Sequence, residues 1–299
     1  LFTEHVRAAS ARDIERFVAK IHRDLGDPEP PLSLESVREL LRLDRGYYSS
    51  TDDSLLRETA HRMKLAGKQV LSRPTRLIEA VKQWDLKALY VPDHQQILID
   101  LSLPAIKQRW AEAHEVGHSL IEWHEALMHG DQLMTLSTSC HQELEAEANF
   151  AAGQLLFLGD AFTERLRSSP VTLKAIRDLA KLFGNSITTT LWRAVEAQEA
   201  PAVGLVSCHP RKPSEPPVRH IVLSAAFVER FGPGAAAALF PQLASFCRNG
   251  AGPIGTGEAT LSDLNGDRHR FTFECFDNTH DTLTLALYGK PAPTGILMP

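Results

Sequence analysis

His114-Glu115-Val116-Gly117-His118 commits one stretch of this chain to an α-helix and gives that helix a chemical purpose. On a helix, residues four apart sit one above the other, so two imidazoles at this spacing can bind one metal ion from the same side. Glu115 stands beside the first histidine, where it can reach a water in an open coordination position and serve as general base. The residues leading in, Leu103 to Ala113, read as a helix with Pro104 in its first turn, the rigid platform that such a site requires.

Two histidines do not complete a catalytic zinc site, and a third protein ligand is expected. His124 completes an HExxHxxxxxH spacing, but in that pattern glycine normally lets the chain turn back to the metal, and here the midway residue is Ile121. If the helix simply continues, six residues turn His124 about 240° away from His118, which makes it a surface histidine or one that stands behind the metal ligands. The favoured candidate lies on the next helical stretch, in Glu143-Leu144-Glu145-Ala146-Glu147-Ala148-Asn149. Glu145 would supply the carboxylate of a His₂Glu set, and Asn149, four residues on, would orient a ligand histidine. Glu147 is the alternative, and it points about 200° away from Glu145, so both cannot face the metal. Zn²⁺ is the expected ion, with Mn²⁺ and Fe²⁺ also suited to this donor set.

At 299 residues, with 43% apolar and 23% charged side chains, the chain has the composition of ordinary globular protein in two or three domains. No stretch approaches the roughly 20 apolar residues of a membrane span, and the N-terminus lacks the features of a signal peptide. Cys140, Cys208, Cys247 and Cys275 form no CxxC pair, which points to reduced thiols and a cytoplasmic setting. A net charge of -5 gives no global attraction to nucleic acid.

Apolar periodicity predicts helices at Ala11 to Leu25, Leu34 to Leu43, Leu55 to Val70 and Thr75 to Trp84. A strand pair, Ala88 to Val91 and Gln96 to Asp100, precedes the HExxH helix, and Cys140 to Leu158 reads as the helix after it. Edge strands in zinc peptidases can hold an extended substrate by strand addition. Thr172 to Ala197 reads as two helices split by Gly184-Asn185-Ser186. From Val203 the texture becomes strand-like, with segments at Val203 to Val206, His220 to Leu223, Arg270 to Phe276 and Thr282 to Tyr288. A helix is expected at Ala225 to Phe231 or at Ala235 to Phe246, and the glycine-rich run Gly250 to Gly257 reads as a flexible loop. The predicted fold class is α+β multi-domain, divided near residues 160 and 200.

Ile97 to Asp100, Arg109 to His118, and Glu145-Ala146-Glu147-Ala148-Asn149 followed by Leu155-Leu156 together resemble the ImmA/IrrE metallopeptidases. The layout of the whole chain is similar to the radiation-response branch of that family. The resemblance implies a zincin-like peptidase domain over residues 1–160, a helix-turn-helix-like segment over 161–200 and a GAF-like sensor domain over 201–299. Carried over to this chain, it implies His114, His118 and Glu145 as metal ligands and Glu115 as the catalytic base. Ile121 and Trp123 depart from the usual tail of the motif. The implied activity is cleavage of a helix-turn-helix transcriptional repressor that silences DNA-damage genes.

The later segments carry weaker chemistry. In the helix pair, Phe183-Gly184 forms the turn and Ser186 is placed to cap the second helix. Ile187 to Leu191 offers no basic residue before Arg193, so a packing or repressor-docking role is expected over DNA contact. The GAF-like domain is a candidate for binding a small signal molecule. The rival to an enzyme is a DNA-binding regulator with a purely structural metal, which would require four protein ligands.

Overall fold

The computed structural model describes residues 6–48, 87–91, 95–124, 138–208, 214–244, 252–277 and 281–291. The helices expected at Leu55 to Val70 and Thr75 to Trp84, and the turn Pro92-Asp93-His94, lie outside these. Helices and two sheets make a mixed α+β protein. The described residues divide into two compact units. One runs to Phe162 and takes back Leu182–Asn185. The other holds Thr163–Lys181 and the chain from Ser186 onward.

In the first unit, α1 (Ala8–Asp24) buries Ile14, Val18 and Ile21, a repeat of four and three residues that makes one apolar stripe. Helix α2 (Leu34–Leu41) starts where the Ser33 hydroxyl accepts from the Ser36 amide, and stops at Arg42 in the left-handed region. Strands β1 (Asp44–Tyr48), β2 (Ala88–Val91) and β3 (Gln96–Asp100) form a sheet in the order β1-β3-β2. β3 is central, parallel to β1 and antiparallel to β2. Its Ile97, Leu98 and Ile99 are all buried, as an unbroken apolar run in a strand requires. Asp100 ends it, its carboxylate accepting from the Ser102 amide at 2.9 Å. After four intervening residues α3 (Ala105–Leu120) begins, with the Pro104 carbonyl accepting from the Lys107 and Gln108 amides. The tight link holds the HExxH helix against the sheet.

Helix α4 (Thr138–Leu156) packs along α3. The two backbones meet at Gly117, where a Cβ would lie 2.8 Å from the Ala148 carbonyl oxygen and 3.1 Å from the Ala151 Cβ. Only the absence of a side chain permits that approach. Glu112, a turn before the motif, is buried and accepts from Arg38 Nε of α2 at 2.6 Å and Arg45 Nη1 of β1 at 3.1 Å. One carboxylate thus ties the HExxH helix to two neighbouring elements.

A short α5 (Asp160–Arg167) had no counterpart in the sequence reading. Helices α6 (Leu173–Phe183) and α7 (Ile187–Glu196) flank Gly184, whose φ of 67° makes the turn, and the Ser186 hydroxyl accepts from the Thr189 amide at 3.0 Å. The second unit contains β4 (Ala202–Cys208), β5 (Val218–Leu223), α8 (Ala225–Phe231), a 3₁₀ turn over Pro233–Ala238, α9 (Leu239–Ala244), β6 (Gly252–Ser262), β7 (Arg268–Asp277) and β8 (Asp281–Pro291). Its strands pair antiparallel in the order β5-β4-β8-β7-β6. Val203, Leu205, Phe271 and Phe273 face a core shared with Phe227, Phe231 and Leu239, while Gly204 meets Leu191 and Val195 of α7 on the other face.

The first helical alternative is present as Ala225–Phe231; of the second, Ala235 to Ala238 belongs to the 3₁₀ turn, Leu239–Ala244 is α-helix, and residues 245–246 lie outside the described residues. The glycine-rich run is a correction: within the described residues, Gly252 to Gly257 is strand rather than flexible loop. Gly257 pairs with Phe273, and a Cβ there would come within 2.6 Å of the ring, so the glycine makes room for an aromatic side chain.

Gly117→Ala is expected to lower stability by about 1–2 kcal/mol, the overpacking penalty less the helix-propensity gain. Urea unfolding measures that loss, and a parallel zinc titration should show weaker binding as α4 is displaced.

Candidate metal centre

His114 and His118 lie one turn apart on α3, and their Nε2 atoms approach to 3.2 Å. Glu145, on α4, brings Oε2 to 3.2 Å from His114 Nε2 and Oε1 to 3.6 Å from His118 Nε2. These three residues are the one group of potential metal-binding side chains of this kind among the described residues. Bonds of about 2.0–2.1 Å around a tetrahedral ion separate neighbouring donors by roughly 3.3 Å, close to the spacings here. Two imidazoles and a carboxylate suit a divalent ion, and three protein ligands leave one position for water or substrate.

Asn149 Oδ1 lies 3.1 Å from His114 Nδ1. A carboxamide oxygen can only accept, so the contact puts a proton on Nδ1 and leaves Nε2, the nitrogen nearest Glu145, as the atom that would ligate a metal. Glu115 is buried at the sheet side of α3, where it accepts from the Tyr90 backbone amide of β2. The edge of the small sheet thereby holds the carboxylate next to the histidine–glutamate cluster.

His124 sits where the sequence left two outcomes open. Helix α3 stops at Leu120, and Ile121 takes an extended conformation with φ -93° and ψ 101°. Extended backbone is what a β-branched residue favours, so the chain leaves the helix without glycine. A short turn, with the His124 amide donating to the Ile121 carbonyl at 2.9 Å, then swings the side chain inward. His124 is fully buried, with Nδ1 2.9 Å from His118 Nδ1 and Nε2 3.0 Å from Glu147 Oε2. Glu147 also accepts from Trp123 Nε1 at 2.7 Å. It faces away from the ligand cluster, as the helical rotation from Glu145 demands. Sequence reasoning gave neither His124 nor Glu147 a defined partner, because their meeting depends on how the chain turns at Ile121.

Burial raises the Glu115 carboxyl to about 7; the nearby Glu145 charge adds to this, while the His114 charge and the Tyr90 amide oppose it. Burial also disfavours ionisation of Glu145, but the hydrogen bonds and charges of His114 and His118 outweigh it and hold Glu145 well below the usual carboxylate range. For His114, burial works against protonation, yet Glu145, Glu115 and Asn149 together raise its pKa. Burial pushes the His124 imidazole down to about 4, keeping it neutral.

Two helices carrying a convergent His-His-Glu set, with a buried carboxyl alongside, form a candidate metal centre. Residues 73–194 match the family model of the IrrE N-terminal-like domain, Peptidase_M78. The radiation response metalloprotease IrrE of Deinococcus radiodurans is 27% identical over 178 residues, 56% of this chain and 54% of that protein. Its namesake in Deinococcus deserti is 27% identical over 133 residues, 42% of this chain and 45% of that protein. The chain thus spans about half the length of these relatives. A Mycobacterium tuberculosis transcriptional regulator shares the fold, with a TM-score of 0.51 and 15% identity over 96% of this chain and 94% of that one. Residues 73–194 are thus similar to the IrrE N-terminal-like domain family, and the likeness to the two radiation response metalloproteases extends over about half of the chain.

In the metal-free protein, the folded pKa of Glu115 lies above its ordinary value of 4.5. The neutral acid therefore favours the fold, and its contribution is complete below about pH 4.5 and lost as pH rises through about 7. Metal-free Glu115→Gln should match the native chain near pH 4.5 and exceed it by roughly 3 kcal/mol near pH 8. Urea titrations at the two pH values check this.

Proposed function

We propose that this chain is a metallopeptidase of the radiation response that cleaves a helix-turn-helix transcriptional repressor. The observation that carries the reading is the convergence of His114, His118 and Glu145 at 3.2–3.6 Å beside the buried Glu115. The names of the two Deinococcus relatives support the metalloprotease and radiation-response parts.

His114, His118 and Glu145 would hold the divalent ion, zinc in the first instance, with manganese or iron equally compatible with the donors. When bound, the metal supplies Lewis acidity at a peptide carbonyl and acidifies water. Glu115, buried beside the three ligands, takes a proton from the attacking water and later delivers it to the leaving amine. Its hydrogen bond to the Tyr90 amide fixes the carboxylate while that transfer occurs. Asn149 keeps His114 in the ligating tautomer.

The α6–α7 pair serves this reading as a helix-turn-helix-like packing or repressor-docking element. From Ile187 to Val195 every residue of α7 is buried or half-buried, which leaves little side chain free to enter a DNA groove. The five-stranded unit is read as a GAF-like domain that binds a small signal molecule. No helix among the described residues is long and apolar enough to cross a membrane.

Incubating the zinc-loaded chain with candidate repressors and mapping fragments by mass spectrometry tests the activity. Glu115→Gln should retain zinc and lose at least about 100-fold in cleavage rate. Full cleavage by that variant would falsify the assigned base.

A further inference from the structure

Beyond the three-residue cluster, one further set of buried polar side chains reaches the metal centre. His124 Nδ1 lies 2.9 Å from His118 Nδ1, and His124 Nε2 lies 3.0 Å from Glu147 Oε2. Glu147 is itself held from two other sides, by Trp123 Nε1 at 2.7 Å and by the Ser10 side chain.

With one proton on each ring, as a ligating His118 and a neutral His124 require, counting along this line leaves one arrangement. Between the two Nδ1 atoms one nitrogen must donate and the other accept. The Glu147 carboxylate can only accept, so the His124 proton belongs on Nε2. A neutral His124 then has a lone pair on Nδ1, which accepts from His118 Nδ1–H. His118 is left with its Nε2 lone pair directed at His114 Nε2 and Glu145, where the cation would sit. The other ligand, His114, reaches the same tautomer with a single acceptor, Asn149 Oδ1. Without Glu147, the proton on His124 could move to Nδ1. His118 would then have to accept there, and its own proton would occupy the nitrogen that must bind metal.

We propose that His124 and Glu147 are a positioning relay that holds His118 in the Nδ1–H tautomer and so presents its Nε2 to a divalent cation. Neither touches the cation or the substrate; both act through His118. The proposal rests on His114, His118 and Glu145 being the metal-binding set. Ile121 is the structural reason the relay exists, since the extended backbone there brings His124 back beneath the helix end.

The test uses the full chain with two readouts. Long-range ¹⁵N–¹H correlations report the tautomer of His118 in metal-free protein, and chelator competition reports zinc affinity. The native chain should show His118 as Nδ1–H. His124→Phe, which keeps the ring volume, should weaken zinc by about 10–100-fold and release the tautomer preference. His124→Asn, whose Oδ1 falls near the lost Nδ1, should recover most of both. His118 found with Nδ1 unprotonated in the folded native chain overturns the relay, as does unchanged zinc affinity in a His124→Phe variant of native circular dichroism. If that variant does not fold, the native tautomer and the Asn variant decide. A native chain that binds no zinc would defeat the metal-site reading, while the metal-free tautomer would still judge the relay.

Discussion

The close contact of two helix backbones at Gly117 and Ala148 is the constraint on which the candidate metal centre depends. His114 and His118 need only their own helix to align. Glu145 belongs to a different helix, and a glutamate side chain spans only a few ångströms. With a Cβ at residue 117 a mere 2.8 Å from the Ala148 carbonyl oxygen, the helices could not approach as they do. The fully buried Ala148, Ala151 and Ala152 complete a seam of small residues along α4. That seam sets the distance at which Glu145 meets the two imidazoles.

Around the seam the unit buries an unusual concentration of polar groups. Glu112, Glu115, His118, His124 and Glu147 are all buried. Each would be costly to hide alone, and each has a partner. Glu112 is matched by two arginines from α2 and β1, Glu115 by a backbone amide of β2, and His124 by His118 and Glu147. The partners come from separate elements, so the same contacts that offset burial also tie those elements to the HExxH helix. The site is held rigid by the way its polar groups are satisfied.

Much of this was legible in the residue pattern, and the limits have physical causes. The strand pair before the motif and the helices α1, α2 and α4 appear near their expected bounds, because apolar periodicity reports which face is buried. Strand β1 escaped notice because Asp44-Arg45-Gly46-Tyr47-Tyr48 has little apolar alternation, and its place beside β3 comes from parallel pairing over a long separation. The run Gly252 to Gly257 looked like a loop because glycine carries no face to read. Only the Phe273 ring opposite explains it. For the candidate site, helical spacing brought the two histidines together and gave Glu145 and Asn149 a shared face. It could not say where the chain goes after His118.

By itself, the sequence determined the local chemistry: an imidazole pair at one helical turn, a glutamate beside it, and a second helix with acidic residues at a fixed rotation. These follow from bond geometry within single elements, which is why five residues could announce them. Tertiary structure decided which carboxylate completes the set, how the Glu115 proton affinity is raised, and which groups orient each histidine. All three depend on distances between elements far apart in the chain and on the exclusion of water, and no spacing rule carries that information. His124 marks the boundary most clearly. Its position six residues beyond His118 is written in the sequence, but its contact with His118 exists only because Ile121 leaves the helix and the packed core closes over the turn.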